Sequence, residues 1–164
     1  NITADNARLV SNLHANLGGL YRMNGYPDLA REHMEKSISL LDQFNLLHIN
    51  DSIPQIANYA MFLTEQQEPE RGISELQKLS GIIKEYHSDD CLDYAKVQET
   101  LGTIYLMTAN LPQAKTHFKR AFKIYEKIWA DEPEMIEAKY QEIQELYPQI
   151  GFCIGKKLSG LLTK

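Results

Sequence analysis

The apolar residues of this chain recur at spacings of three and four, in segments of helical length separated by turn residues such as Gly-Tyr-Pro at 25–27. This periodicity is typical of amphipathic α-helices, and no segment alternates apolar and polar residues as a strand does. The sequence therefore predicts an all-α fold of eight helices in four antiparallel pairs. The first helix runs from an N-cap at Asp5 to about Asn24, and its apolar stripe consists of Leu9, Leu13, Leu17, Leu20 and Tyr21.

A skeleton of residues recurs along the chain at a spacing of 42 residues. In the third copy it consists of Leu101, Gly102, Tyr105, Ala114, Phe118 and Ala121. In the first copy it consists of Leu17, Gly18, Tyr21, Ala30, Met34 and Ser37. The second copy is weaker and the fourth is partial: Tyr59, Ala60, Leu63, Gly72, Leu76 and Leu79, then Ile143, Tyr147, Gly151 and Phe152. A fixed period of this length indicates one supersecondary unit that is repeated.

The repeat predicts how the chain is organised. We expect a single domain over residues 1–164, with units at about 5–46, 51–87, 89–130 and 132–163, and with the amphipathic segment from Gln149 as an end cap. The chain does not begin with Met, which suggests a piece of a longer protein. Small residues at two repeat positions should let the paired helices approach closely; they are Gly18, Ala60 and Gly102, and Ala30, Gly72 and Ala114.

Composition narrows the function classes. The net charge of −5 gives no electrostatic basis for binding nucleic acid or an anionic membrane. No apolar run approaches the roughly 18 residues of a membrane span, and no leader is visible, so we expect a cytoplasmic protein. Cys91 and Cys153 are too few for a disulfide framework, and we expect both to be reduced thiols.

The skeleton resembles the tetratricopeptide repeat, whose pattern is Leu-Gly-x-x-Tyr followed by Ala-x-x-x-Phe. The resemblance covers residues 7 to about 155, with units one and three matching best. The period is longer than the family's usual ~34 residues, and such long units are similar to the repeats of kinesin light chains and of bacterial peptide-pheromone receptors. The resemblance implies a right-handed α-solenoid, a superhelix whose concave groove is lined by the first helix of each pair and holds an extended peptide.

The resemblance also assigns positions to this groove. They are Asn12, Asn16 and Arg22 on the first helix, Asn58 and Met61 on the third, and Lys96 and Thr103 on the fifth. Asn16 and Asn58 occupy one position in consecutive units, where family members use asparagine ladders to hold a peptide backbone. The alternative is that both amides are solvated or bond within their own hairpin. The methionines are adaptable groove surface in one interpretation and ordinary core in the other.

Other sites are not supported by the sequence. His33 and His117 share a repeat position, but they lie two units apart and cannot hold one metal ion. The family's carboxylate-gripping mode lacks its residues, because Ala15 and Gly19 stand in those places. We therefore expect no enzymatic activity, no cofactor and no metal. The leading hypothesis is a non-enzymatic module that binds a peptide or partner segment; the alternatives are the sensory domain of a bacterial regulator and self-assembly, with a homodimer formed through the terminal repeats.

Overall fold

The computed structural model of the chain describes residues 2–148, and within them it contains seven α-helices and no strand. The helices are α1 (Ala4–Met23), α2 (Pro27–Gln43), α3 (Ser52–Glu65), α4 (Pro69–Tyr86), α5 (Leu92–Met107), α6 (Leu111–Ile128) and α7 (Pro133–Leu146). The predicted all-α class is confirmed. The predicted end cap from Gln149 lies outside the described residues.

The chain forms two compact units. The first unit, Asn1–Asp89, contains two helical hairpins, α1 with α2 and α3 with α4. The second unit, Asp90–Lys164, contains in its described part the hairpin of α5 and α6, followed by α7. Because the two helices of each hairpin are joined by only three residues, they must run antiparallel. The predicted pairing of α1 with α2, α3 with α4 and α5 with α6 is therefore present.

The three hairpin turns share one backbone geometry. The middle residue of each three-residue turn has a positive φ; these residues are Gly25 (77°), Gln67 (64°) and Ala109 (59°). The next amide then reaches back to a helix carbonyl, as Tyr26 N does to Tyr21 O at 2.9 Å and Asn110 N does to Tyr105 O at 2.7 Å. This is the pattern by which a left-handed residue ends a helix.

Replacing Ala109 by glycine should stabilise the protein. The left-handed conformation costs an alanine about 1–2 kcal/mol, and the extra chain entropy of glycine offsets part of that gain. We expect Ala109→Gly to raise the free energy of unfolding by about 0.5–1 kcal/mol in urea titrations. Gly25→Ala is the matched reverse change, because open space surrounds Gly25, and it should lower stability by a similar amount. Two substitutions without effect would contradict this account.

The small repeat positions bring the paired helices together, as the sequence predicts. A Cβ added at Gly18 would lie 2.6 Å from Met34 Cγ, and one added at Gly102 would lie 2.9 Å from the Phe118 ring. At Gly72 the obstacle is backbone, since the added Cβ would lie 2.6 Å from Ala60 O. Large apolar side chains then fill the adjoining space; those almost fully buried include Leu41, Phe62, Leu76, Leu101, Phe118 and Tyr125.

The leucine stripe of α1 does not face the core. Leu9, Leu13 and Leu20 are 63%, 55% and 55% exposed, and Leu17 is 39% exposed. The buried residues of this helix are instead Ala7, Ser11 and Gly18. These small residues form the narrow surface on which α1 packs against α2, so its wider apolar surface points away from the hairpin.

Two helix starts also differ from the sequence prediction. The N-cap of α1 is Thr3 rather than Asp5, and the backbone N–H of Thr3 donates to Asn6 Oδ1 at 2.8 Å. The sequence predicts that the third unit begins at about residue 89, but the N-cap of α5 is Cys91, whose Sγ accepts from Tyr94 N at 3.4 Å. The sulfur of a thiol is a weak hydrogen-bond acceptor. A cysteine in the sequence therefore does not indicate an N-cap.

Candidate functional site

A recess of about 220 Å³ lies in the first unit, among α1, α2 and α3. Its lining residues come from the inner surfaces of three helices: Ala15, Gly19, Arg22, Met23, Met34, Ser37, Gln55 and Asn58. The recess is open because two of the α1 positions carry almost no side chain, and a Cβ added at Gly19 would meet nothing within 4 Å. Two of the predicted groove residues, Arg22 and Asn58, line it.

Arg22 is held in place at the recess. Its Nε donates to Glu65 Oε2 at 2.8 Å and its Nη2 donates to Glu65 Oε1, so the guanidinium and the carboxylate form a two-pronged pair between α1 and α3. Both side chains remain about one-third exposed. Two parallel hydrogen bonds fix the orientation of a planar guanidinium. Arg22 therefore lines the recess in a fixed position, with its charge already paired with Glu65.

A buried polar cluster lies behind the same recess. The amide oxygen of Gln55 accepts from Ser11 Oγ at 2.8 Å and from Ser37 Oγ at 2.6 Å. Both serines are buried. The amide nitrogen of Gln55 donates to Asn12 Oδ1. Buried hydroxyls must find partners, and Gln55 therefore ties α3 to both helices of the first hairpin.

Asn12, a predicted groove residue, belongs to this internal network. Its Nδ2 donates to Asp51 Oδ2 at 3.3 Å, and Arg8 Nε donates to the same oxygen at 2.6 Å. Hydrogen bonds from Arg8 and then Asn12 hold the pKa of the Asp51 carboxyl below its ordinary value. Both the oxygen and the nitrogen of the Asn12 side-chain amide therefore make hydrogen bonds that join α1 to α3 and its N-cap.

The remaining amides, Asn16 and Asn58, are exposed. Neither side chain makes a hydrogen bond to another residue within the described part of the chain. Met61, three residues after Asn58, is half-buried. Met23, which lines the recess, is 86% exposed. The first unit therefore carries two free amides on successive first helices, together with an exposed thioether side chain.

A second recess, of about 310 Å³, lies in the second unit among α5, α6 and α7. It is lined by Leu92, Lys96, Tyr125, Trp129, Met135, Ala138, Lys139 and Glu142. The rings of Tyr125 and Trp129 stack with centroids 4.8 Å apart. Thr103, the other groove residue predicted on α5, does not line this recess, and its hydroxyl donates to Glu99 O of its own helix at 3.1 Å.

An ionic cluster adjoins this second recess. Glu99 accepts from Lys139 Nζ at 2.9 Å and from the Tyr125 hydroxyl at 2.6 Å, and the side chains of Glu99 and Lys139 are both 19% exposed. Burial lowers the pKa of Lys139, but the hydrogen bond and charge of Glu99 outweigh it, so the pKa is raised. Burial, followed by the Glu99 carboxylate, raises the pKa of Tyr125.

The histidines at the shared repeat position have a packing role. His33 stacks on Tyr21 with centroids 5.3 Å apart, and His117 stacks on Tyr105 at 5.2 Å. Burial lowers the pKa of His117, which favours the neutral ring that stacks there. Within residues 2–148, no cluster of three or more His, Cys, Asp or Glu side chains could hold a metal ion. No helix of this part is long and apolar enough to cross a membrane.

Sequence reasoning did not find Gln55 or Lys139. One signal was available: Ser37 stands at a repeat position that holds Leu79 and Ala121 in the later units. A polar residue at an otherwise apolar repeat position indicates a buried polar partner. It does not say which side chain supplies that partner.

Comparison with known proteins agrees with this architecture. The crystal structure of BtubC (BKLC) from P. vanneervenii matches 99% of this chain and 67% of that chain, with a TM-score of 0.73 and 17% sequence identity. At this identity the likeness shows the fold. No curated protein sequence matches the chain. A family model described as Tetratricopeptide repeat matches residues 52–127. This match confirms, over those residues, the resemblance drawn from the residue skeleton.

Proposed function

We propose that the chain binds an extended peptide or partner segment against the first helices of its hairpins. Tetratricopeptide repeats generally mediate protein–protein interaction and typically have no enzymatic activity. The observation that supports the finer proposal is the pair of exposed, unbonded amides of Asn16 on α1 and Asn58 on α3, of which Asn58 lines the recess together with Gly19.

The chemistry of an amide suits this role. Each side-chain amide offers two donor hydrogens and an acceptor oxygen, so Asn16 and Asn58 can each pair with both the N–H and the C=O of an extended chain. Such pairing does not depend on the ligand's side chains. Room for those side chains is supplied by Ala15 and Gly19, and adaptable apolar surface by Met23.

The second unit, taken by itself, has a recess that would suit an apolar side chain of a peptide bound there. The partly exposed ring of Trp129 offers an aromatic surface, and Met135 and Ala138 form an apolar wall. Lys96 at this recess is exposed and lies 3.9 Å from Asp93, a loose pair. Its ammonium group is therefore available to a carboxylate of a peptide bound at this second recess.

The test is selection from a displayed library of random dodecapeptides, followed by affinity measurements on the strongest binder. We expect the Asn16→Ala plus Asn58→Ala variant to bind that peptide at least tenfold more weakly. Loss of two to four hydrogen bonds, each worth about 0.5–1.5 kcal/mol, corresponds to such a change. Gln77→Ala is the matched control, because it removes an exposed amide from α4, the second helix of its hairpin.

Circular dichroism should show the same helix content in all three proteins. A library that yields no binder, or a binder whose affinity the double substitution leaves unchanged, would overturn the proposed groove. Equal weakening by Gln77→Ala would do so as well, since that residue lies on a second helix.

A further inference from the structure

We infer that the imidazole rings of His14 on α1 and His33 on α2 form a proton-sensitive contact, which holds the first hairpin together at neutral pH and loosens it in mild acid. The Nδ1 atoms of the two rings lie 2.8 Å apart, and the ring centroids lie 5.0 Å apart. Both side chains are partly buried. The inference concerns a contact inside the first unit and does not depend on peptide binding.

A hydrogen bond between two Nδ1 atoms limits the protons that the pair can carry. A neutral imidazole has one N–H group and one acceptor nitrogen, whereas a protonated imidazole has two N–H groups and no acceptor. One ring must therefore donate from its Nδ1, and the other ring must accept at its Nδ1. A first proton can enter at the Nε2 atom of the donor ring without breaking this bond. A second proton must occupy the accepting Nδ1, which removes the bond and places two positive charges side by side.

The third copy of the repeat keeps this contact but has an amide in place of one imidazole. Gln98 and His117 stand 84 residues after His14 and His33, and the Nδ1 of His117 lies 2.9 Å from the side-chain oxygen of Gln98. Because an amide oxygen only accepts, His117 donates this bond and can take up a proton at Nε2 without losing it. The second copy has an isoleucine and a glutamate at the two positions. Of the three described hairpins, the first is therefore the one that joins two imidazoles here.

The charges of α2 that act on His14 oppose its protonation on balance. Burial is the largest effect that lowers the pKa of His14, followed by the charges of His33 and of Lys36. The carboxylate of Glu32 raises this pKa, but it is the smallest of the four effects. In the unfolded chain a histidine has its ordinary pKa of about 6.5. As the pH falls through about 6.5, the unfolded chain takes up protons before the folded hairpin does, and the hairpin loses stability.

The helices packed against the pair bring an aromatic ring and a charge that is already paired. On α1, the phenol ring of Tyr21 stacks on His33 with centroids 5.3 Å apart. On α3, the only charged residue between Ser52 and Glu65 is Glu65 itself, which pairs with Arg22. A second positive charge must therefore expel a ring or separate the helices. Either change loosens the packing of α1 on α2.

The experiment is hydrogen–deuterium exchange of the whole chain in neutral buffer and in mild acid, corrected for the intrinsic pH dependence of exchange and measured by mass spectrometry. We expect the protection of the α1 and α2 amides to fall about three- to tenfold in acid, as the loss of one hydrogen bond produces. His14→Gln, which copies the contact of the third repeat copy, should keep that protection in both buffers. His87→Gln removes an exposed imidazole at the end of α4 and should leave the wild-type response of α1 and α2 unchanged. Any acid effect on α5 and α6, where burial lowers the pKa of His117, is common to all three proteins and is the internal reference.

Three results would overturn the inference. Equal protection of wild-type α1 and α2 in both buffers would show that the pair carries two protons without separating. An equal loss in wild type and His14→Gln would place the acid-sensitive group elsewhere. If His14→Gln is already loosened at neutral pH, the ring nitrogen chemical shifts of isotope-labelled histidine in the wild-type chain decide the question. We expect His14 and His33 to titrate in separate steps, and a single shared step at the ordinary pKa of about 6.5 would contradict the proposed contact.

Discussion

Gly72→Ala is expected to lower the free energy of unfolding by about 2–3 kcal/mol, the upper part of the range of about 1–3 kcal/mol for overpacking a core. A methyl group at this position would lie 2.6 Å from the carbonyl oxygen of Ala60 and 3.3 Å from its Cα. Both atoms are backbone, so no side chain can rotate away. The axes of α3 and α4 must separate, which loosens the packing of Leu63 and Leu76, both fully buried.

Gly81→Ala is the control for this prediction. Gly81 lies on the same helix and is exposed, and a Cβ added there would meet nothing within 4 Å. Alanine is favoured over glycine within a helix by about 1 kcal/mol, so Gly81→Ala should stabilise the protein while Gly72→Ala destabilises it. Urea unfolding followed by circular dichroism measures both. Equal effects of the two substitutions would show that helix propensity, and not the close approach of α3 and α4, governs Gly72.

The helices and their close contacts could be predicted because both depend on local spacing. Gly18, Gly72 and Gly102 were predicted as contact points from their repeat positions alone, and each lies against its partner helix. The exposure of the leucine stripe of α1 could not be predicted in the same way. A stripe with helical period shows that a helix has an apolar side, but not which neighbour covers that side. In α1 the side that packs is the one with Ser11 and Gly18.

The candidate site was predictable only in part, for a related reason. The recess follows from the small residues at 15 and 19, which the sequence displays. The ion pairs beside the two recesses join residues far apart in the chain, Arg22 with Glu65 at the first recess and Glu99 with Lys139 at the second. Such pairs depend on the direction of long side chains across two helices, and no local pattern encodes that direction. The roles of Asn16 and Asn58 therefore stay predictions that the binding experiment must test.

Glu99→Ala is expected to lower the free energy of unfolding by about 2–4 kcal/mol. Removing one member of a buried ion pair costs about 3–5 kcal/mol, and the partial exposure of Glu99 and Lys139 reduces that cost. The substitution leaves the Tyr125 hydroxyl without its acceptor and removes the nearer partner of Lys139 in this mostly apolar recess. Glu142 remains beside Lys139 at 3.0 Å, but that carboxylate is 51% exposed and compensates only in part.

The measurement is urea unfolding monitored by Trp129, the only tryptophan of the chain, whose ring stacks on Tyr125 and so reports on the second unit. Glu142→Ala serves as the control and should cost no more than about 1 kcal/mol, as exposed pairs do. Combining Glu99→Leu with Lys139→Met should recover much of the loss, because replacing both charges by apolar groups leaves neither one buried alone. If Glu99→Ala and Glu142→Ala prove equally mild, the cluster contributes no more than a surface pair, and Lys139 remains solvated through the recess.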